Sequence, residues 1–227
     1  SYSLLDGSGK IPEMISRVKE LGMDSCALTD HGVMYGVIDF YREAKKQGIH
    51  PILGSEIYLT EDMAEKSLQK GEARYYHLVL LAENDTGFHN LMKLVSLGFT
   101  EGYYYKPRVD YATLEKYHEG IIALSACLAG EVSRALRYND YEKAKEAAYR
   151  YEKIFGKGNF FLEMQDHGYP EQKLVNQGML RLHEETGIPL VATNDIHYTY
   201  KEDAKPHDIL LCLQTGKKLQ DEDRMRY

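Results

Sequence analysis

The stretch SCALTDHG at residues 25–32 decides how the rest of the chain is interpreted, because it is a short apolar run that ends in polar residues. The segment IPLVATNDIHY at 188–198 has the same organisation, with Asp and His directly after the apolar run. Between the two, apolar strand-like segments alternate with amphipathic helix-like segments. Short strands that are apolar on both faces and separated by helices are typical of a parallel sheet. The sequence therefore predicts an α/β fold.

The alternation predicts six strands, at 26–29, 51–58, 76–82, 120–125, 159–164 and 188–193. Helices are predicted at 11–22, 36–47, 86–97, 129–137, 140–155, 170–186 and 200–214. Residues 60–74 and 102–111 are expected to be irregular. A closed barrel is favoured over an open sheet, because no Gly-rich dinucleotide-binding turn or P-loop follows any of the strands.

Composition excludes several classes of protein. The 227 residues suit one domain or two small ones, and 43% hydrophobic residues exclude a disordered chain. The net charge of −7 argues against broad, charge-driven binding of nucleic acid. Three scattered cysteines do not form a disulfide framework, and the chain shows neither a signal peptide nor an apolar membrane span. We expect a cytoplasmic protein and, since the sequence lacks an initiating Met, a fragment.

Residues that can coordinate a metal follow most of the predicted strands, where β/α folds carry their chemistry. The candidates are Asp6 before the first helix and, at or near the ends of successive strands, His31, Glu56, Cys127, Asp166, His167, Asp195 and His197. Each one alone is more often a helix cap, a turn residue or a buried small side chain. Chance placement at successive strand ends is less expected. In an extended segment, Asp195 and His197 would also point to the same side.

These candidates are too many for one closed tetrahedral site and indicate a multinuclear site with open positions. Histidine, carboxylate and thiol ligands together favour Zn, Mn or Fe over Ca or Mg. Such a site commonly activates a water and binds a phosphoryl oxygen.

Other residues give weaker indications. Lys106 and Arg108 could neutralise a substrate phosphate beside the metals, although an ordinary charged loop is an equal alternative. Stacking of Tyr103, Tyr104 and Tyr105 on bases is less favoured than packing. The remaining helical and loop histidines are assigned to the surface or to structural roles: His50, His89, His118, His183 and His207.

Longer motifs resemble those of the polymerase and histidinol phosphatase (PHP) domain family, in its bacterial replicative DNA polymerase branch. The motif ALTDHG is common to PHP proteins in general. The polymerase branch is indicated by YYYKPRVD (103–110), SACLAGE (125–131) and DILLCLQTGKKLQDEDRMRY (208–227). SYSLLDG, GSEIYL, YYHLVLLAEN and ATNDIHY also match, so the resemblance extends over the whole chain.

The resemblance implies a distorted seven-stranded (β/α)7 barrel that holds two or three divalent metal ions (Zn, Mn or Fe). The implied ligands are Asp6, His31, Glu56, His77, Cys127, Asp195 and His197. His77 rests on the resemblance alone, because it lies near the start of its strand. His31, Asp195 and His197 are the implied catalytic residues, with Lys106 and Arg108 as substrate-binding residues.

The family pattern normally opens with a strand that ends in His-x-His, and this sequence begins after that point. We expect this first strand to be missing through truncation, lack of order or a natural absence, which leaves seven of nine ligands. The expected domains are a PHP barrel at 1–198 and, at 199–227, a last helix with the connection toward a polymerase core.

Three functions follow from this resemblance. The first is a metal-dependent phosphoesterase that acts as a 3′→5′ proofreading exonuclease on DNA. The alternative is a catalytically degenerate structural module that stabilises the polymerase and docks a proofreading exonuclease subunit. A free-standing small-molecule phosphatase is the least favoured. The expected partners are DNA, the remainder of the polymerase chain and other replisome components, without a membrane.

Overall fold

A computed structural model of the chain describes residues 2–66 and 75–225. The chain divides into two compact units, described here one at a time. The first comprises Ser1–Asp30, Tyr35–Leu53 and Asp195–Tyr227, and the second comprises His31–Met34 and Gly54–Asn194. Much of the segment predicted to be irregular at 60–74 lies outside the described residues.

The first unit is built on two amphipathic helices and a short parallel strand pair. Its elements are α1 (Ile11–Glu20), β1 (Ser25–Leu28), α2 (Val37–Gln47), the start of β2 (His50–Thr60), a 3-10 turn (Lys201–Asp203) and α8 (Ala204–Thr215). β1 pairs parallel with the start of β2, with Ser25 opposite His50. The apolar faces of α1 and α2 meet through Ile15 and Phe40, both without solvent exposure. Two helix faces at 3.6-residue spacing therefore bury each other.

The second unit is a sheet covered by helices. Its elements are the rest of β2, β3 (Tyr76–Ala82), α3 (Asp85–Thr100), β4 (Arg108–Asp110), α4 (Tyr111–Lys116), β5 (Ile121–Leu124), α5 (Glu131–Arg137), α6 (Tyr141–Phe155), β6 (Phe160–Met164), α7 (Pro170–Thr186) and β7 (Leu190–Ala192). The strand order is β2-β3-β5-β6-β7, and β4 pairs with β2. Leu80 of β3 and Leu91 of α3 belong to its fully buried core. Burial of each such leucine stabilises the fold by about 1.5–3 kcal/mol.

All six predicted strands are present, each within two residues of its predicted ends. The expectation of a wholly parallel sheet is wrong at β3, which runs antiparallel to both β2 and β5. An apolar run has the same composition in either direction, so strand periodicity does not encode this choice. Residues 102–111 are not wholly irregular, because β4 forms directly after Pro107 and α4 begins at Tyr111.

Among the described residues, no helix is both long and apolar enough to cross a bilayer. The proposed boundary between a barrel at 1–198 and a connection at 199–227 stays a prediction.

Candidate metal centre

Three predicted ligands meet in the second unit, and we call them the His31–Glu56–His77 group. The Glu56 carboxylate is 5% exposed. Its Oε1 atom lies 3.1 Å from Nδ1 of His31 and 2.5 Å from Nδ1 of His77. The two imidazole rings are 5.6 Å apart, centroid to centroid. A single buried carboxylate oxygen thus faces two ring nitrogens.

Strand register brings these residues together. β2 and β3 pair antiparallel with Tyr58 opposite His77, so His77 lies diagonally across from Glu56 on the next strand. His31 follows β1 and forms an isolated parallel bridge with Glu56. The N–H of Gly32 donates to the carbonyl of Glu56 over 2.8 Å. Gly32 has a φ of 67°, and a Cβ there would lie 2.9 Å from the Tyr58 ring and from Pro107. This close approach favours glycine in the DHG motif.

The chemistry of the His31–Glu56–His77 group fits a divalent cation. Burial by itself raises the pKa of Glu56, but hydrogen bonds and charge from the two histidines outweigh it and hold that pKa well below its usual value. The carboxylate is therefore ionised at neutral pH. One ligand atom from each residue lies within 4.8 Å of the others. A buried anion beside two imidazoles is a donor set that transition metals prefer.

Cys127 joins this group through its sulfur atom, which lies 3.7 Å from Nδ1 of His77. The loop after β5 is fixed to the start of β3, because the N–H of His77 donates to the carbonyl of Ala129 over 3.1 Å. The N–H of Gly130 donates to the carbonyl of Cys127 over 2.9 Å. A Cβ on Gly130 would lie 2.0 Å from the carbonyl oxygen of Ser125, so only glycine permits this turn.

The first unit holds the other three predicted ligands, and we call them the Asp6–Asp195–His197 group. Oδ2 of Asp6, which is 6% exposed, lies 3.5 Å from Nε2 of His197. Nδ1 of His197 donates to the carbonyl of Asp195 over 2.8 Å, since a carbonyl can only accept. Burial lowers the pKa of His197, but Asp6 and Asp195 outweigh this effect and raise it overall. A proton held on Nδ1 leaves Nε2 as the metal-binding atom.

Backbone strain is concentrated next to the candidate ligands. Leu5 and Ala126 both have a φ of 63°, and each directly precedes a ligand, Asp6 or Cys127. Asp195, itself a candidate, has a φ of 45°. A non-glycine residue in the left-handed region costs about 1–2 kcal/mol. Such strain persists where the surroundings impose it and is common at functional sites.

Two residues outside the predicted ligand set support the Asp6 segment. Asp30 Oδ1 accepts hydrogen bonds from the backbone of Tyr2 and Ser3 and from the hydroxyl of Ser3, over 2.7–3.0 Å. His207, assigned from sequence to the surface or to structure, is 1% exposed, and its Nε2 lies 2.6 Å from the carbonyl of Asp6. The sequence contains no signal for this second contact, because it joins the two ends of the chain.

Asp166 and His167, which also follow a strand, lie in a loop that hydrogen bonds hold in place. Nε2 of His167 donates to the carbonyl of Asn194 over 2.7 Å, and its Nδ1 accepts from the amide of Gln172 over 2.9 Å. Both ring nitrogens therefore have protein partners, so the structure gives His167 a role in fixing this loop.

The two predicted substrate-binding cations differ in their surroundings. The Lys106 ammonium lies 5.3 Å from the centroid of the Tyr58 ring, which is itself 5.4 Å from the ring of His77. Among residues 2–66 and 75–225, Lys106 contacts this ring and forms no ion pair with a carboxylate. Lys106 is therefore a half-exposed cation near the His31–Glu56–His77 group.

Arg108, by contrast, is fully buried. Its guanidinium donates to the carbonyls of Gly102, Met63 and Glu65 over 2.8–3.2 Å. Direct contact with a substrate phosphate is incompatible with this burial, so the prediction made for Arg108 is corrected. Its role is to hold the residues that follow β2 against the 102–108 segment.

Comparisons with known proteins give the family context of these groups. A sequence model described as the PHP domain matches residues 1–167. DNA polymerase III subunit alpha of Borreliella burgdorferi is 46% identical over 227 residues, which cover 99% of this chain and 20% of that protein. The same subunit of Campylobacter jejuni is 44% identical over 236 residues, which cover all of this chain and 19% of that protein. The chain thus spans about a fifth of the length of the curated relatives it matches.

Among solved structures, an amidohydrolase of Chromobacterium violaceum superposes with a TM-score of 0.56 at 13% identity. The match covers 87% of this chain and 85% of that one, and it shows a shared fold.

Proposed function

This chain belongs to the PHP domain family, and from that premise we propose that it is the PHP domain of a bacterial replicative DNA polymerase III alpha subunit, with metal-dependent phosphoesterase activity. The substrate we propose is the 3′ end of a DNA strand, so that the domain acts as a 3′→5′ proofreading exonuclease. The observation that carries the proposal is the buried Glu56 carboxylate held between His31 and His77.

Two or three divalent ions of the Zn, Mn or Fe class are the proposed cofactors. His31, Glu56, His77 and Cys127 would hold metal in the second unit, while Asp6, Asp195 and His197 would hold metal in the first. A divalent ion bound there supplies Lewis-acid chemistry, which lowers the pKa of a water and neutralises phosphoryl charge.

The residues of the chain orient that chemistry. The bond from Nδ1 of His197 to the Asp195 carbonyl fixes the tautomer and ring position of His197. The Glu56 carboxylate lies between the imidazoles of His31 and His77, so these three side chains would present their ligand atoms to one metal ion. We propose His31, Asp195 and His197 as the catalytic residues. Lys106 is the proposed contact for a substrate phosphate, because its ammonium lies near the His31–Glu56–His77 group and has no carboxylate partner among the described residues.

The proposed partners are DNA and the remainder of the alpha subunit, within the cytoplasmic replication machinery. A proofreading exonuclease subunit and other replisome components are further proposed partners. They have their basis in the family relationship rather than in a surface of this chain.

The test combines elemental analysis of metal with release of the 3′ nucleotide from end-labelled single-stranded DNA. Both measurements are made on the purified chain and on a full-length alpha subunit that contains it. The Asp195→Asn/His197→Asn double variant, made in each protein, should release no nucleotide, with folding checked by circular dichroism. Bound metal without any release from the full-length subunit would refute the exonuclease and favour the structural docking module.

A further inference from the structure

We propose that His207 is a positioning residue that holds Asp6 and His197 in the arrangement that binds a divalent metal ion. The inference rests on the proposed function, since it takes the Asp6–Asp195–His197 group to be a metal site. His207 is on none of the ligand-bearing segments.

The first observation is a buried hydrogen bond between distant parts of the chain. His207 lies in the first turns of α8, is 1% exposed, and has its Nε2 atom 2.6 Å from the carbonyl oxygen of Asp6. Because a carbonyl only accepts, Nε2 must carry the proton. This nitrogen is therefore a donor to the backbone of a candidate ligand and is not itself a ligand atom.

The second observation is that the same ring contacts the other ligand-bearing segment. The imidazole of His207 lies 6.0 Å from that of His197 at an interplanar angle of 59°, and 5.2 Å from the ring of Tyr198. The His207 side chain thus bonds to the backbone of Asp6 and packs against His197. Asp6 and His197 are themselves close, with Oδ2 of Asp6 3.5 Å from Nε2 of His197.

The third observation is that the Asp6 segment has little structure of its own. Residues 2–10 form no helix or strand, and Leu5 has a strained φ of 63°. The local turn contributes bonds from the N–H groups of Asp6 and Gly7 to the carbonyl of Ser3. The tertiary bonds that place this segment relative to His197 include that from the N–H of Ser8 to the His197 carbonyl over 2.8 Å and that from His207 to the Asp6 carbonyl. Because His207 lies on the helix α8, its bond ties the irregular Asp6 segment to a rigid element.

Outer-sphere partners of this kind fix the position of a metal ligand, and their loss typically lowers metal affinity by about 10–100-fold. A purely structural histidine would instead lower stability and leave the affinity of the folded protein unchanged. His207→Leu removes the donor, whereas His207→Gln keeps an N–H at a similar reach.

His183→Leu is the matched control. Nδ1 of His183 donates to the carbonyl of Ile188 over 2.8 Å, so the control also deletes a bond from histidine to a backbone carbonyl, at a more exposed position near the end of α7 in the second unit. His183 belongs to neither ligand group.

The experiment titrates the metal-free wild-type chain and the three variants with Co²⁺ against a competing chelator. Each protein is first checked for folding by circular dichroism and thermal unfolding. A thiolate-to-cobalt charge-transfer band reports the ion beside Cys127, and absorption without that band reports the Asp6–Asp195–His197 group. The release of nucleotide from labelled DNA is measured in parallel on the wild type.

We expect His207→Leu to weaken the thiolate-free site about 10–100-fold while the thiolate band titrates as in the wild type. His207→Gln should restore most of that affinity, and His183→Leu should retain all of it. Equal affinity in His207→Leu and wild type, equal losses in the Leu and Gln variants, or a wild type with only the thiolate site would each overturn the inference. A wild-type chain that binds both ions but releases no nucleotide would instead count against the proposed activity, and the variant affinities would still decide the role of His207.

Discussion

Oε1 of Glu56 lies 2.5 Å from Nδ1 of His77, a contact that joins two adjacent antiparallel strands across one diagonal of the sheet. The same oxygen lies 3.1 Å from Nδ1 of His31. Replacing the Glu56 carboxylate therefore tests whether the second-unit group binds metal, because this oxygen faces both histidines.

Glu56→Gln should reduce metal affinity in the second unit by at least about tenfold, because the amide carries no charge to offset that of the cation. Co²⁺ titration that follows the thiolate band measures the change. Glu185→Gln, in an exposed pair with Lys145 and Arg181, is the control and should bind metal as the wild type does. An unchanged band in Glu56→Gln would exclude Glu56 as a ligand.

Removal of metal should destabilise the folded chain, since ions that bind only the native state add to its stability. At a metal concentration of 100 times Kd, one site contributes about 2.7 kcal/mol. For a chain of this size, that corresponds to a rise in Tm of about 5–10 °C. Thermal unfolding with excess Zn²⁺ or Mn²⁺ and with chelator provides the measurement, and Ca²⁺ is the control ion. Identical Tm values with Zn²⁺, Mn²⁺ and chelator would contradict metal binding.

Lys106→Met should raise KM for DNA without changing Tm, because the half-exposed ammonium contributes charge rather than packing. Steady-state nucleotide release as a function of DNA concentration gives KM and kcat separately. An unchanged KM would remove Lys106 from the proposed substrate site.

Arg108→Met should instead lower stability, by about 3 kcal/mol, because it removes the donors of three backbone carbonyls at about 1 kcal/mol each. The guanidinium bonds to the carbonyls of Gly102, Met63 and Glu65 would be lost together. Urea unfolding measures this difference. A variant as stable as the wild type would show that these bonds contribute little.

The alkaline limit of stability should depend on two buried tyrosines. The hydroxyls of Tyr111 and Tyr151 donate to the Glu131 carboxylate over 2.7 and 2.6 Å, and Arg150 also donates to Glu131. Burial, reinforced by the charge of Glu131, raises the pKa of both tyrosines. Their protonated forms therefore stabilise the fold below the unfolded-state pKa of about 10, and this contribution is lost as pH rises further.

Urea unfolding between pH 8 and pH 11 tests this dependence. Tyr111→Phe should cost about 1 kcal/mol at neutral pH through its lost hydrogen bond, but its stability should fall less steeply above pH 10. Tyr149→Phe, at a 44% exposed position on α6, is the control and should keep the wild-type slope. Equal slopes in all three proteins would show that these phenols do not titrate with unfolding.

The sequence by itself determined the α/β fold class and the order of its main elements. Apolar runs bounded by Gly, Pro and polar residues mark buried segments, and the spacing of their apolar residues indicates whether a segment is a helix or a strand. Reading the ends of those runs and the turn before the first helix also selected six of the seven candidate ligands, which stay a prediction. The seventh, His77, was indicated only by resemblance, because it lies at the start of β3 rather than at its end.

Only the tertiary structure decided what depends on contacts between distant residues. The antiparallel direction of β3 places His77 beside Glu56, and a strand's composition does not specify its direction. The burial of Arg108 depends on carbonyls that lie 6 to 45 residues away along the chain, and the bond from His207 to Asp6 spans 201 positions. In the sequence, a charged or histidine residue that binds a ligand has the same residue type as one that supports the backbone. Which of them binds a ligand and which supports the backbone is set by the partners that folding brings within hydrogen-bond distance.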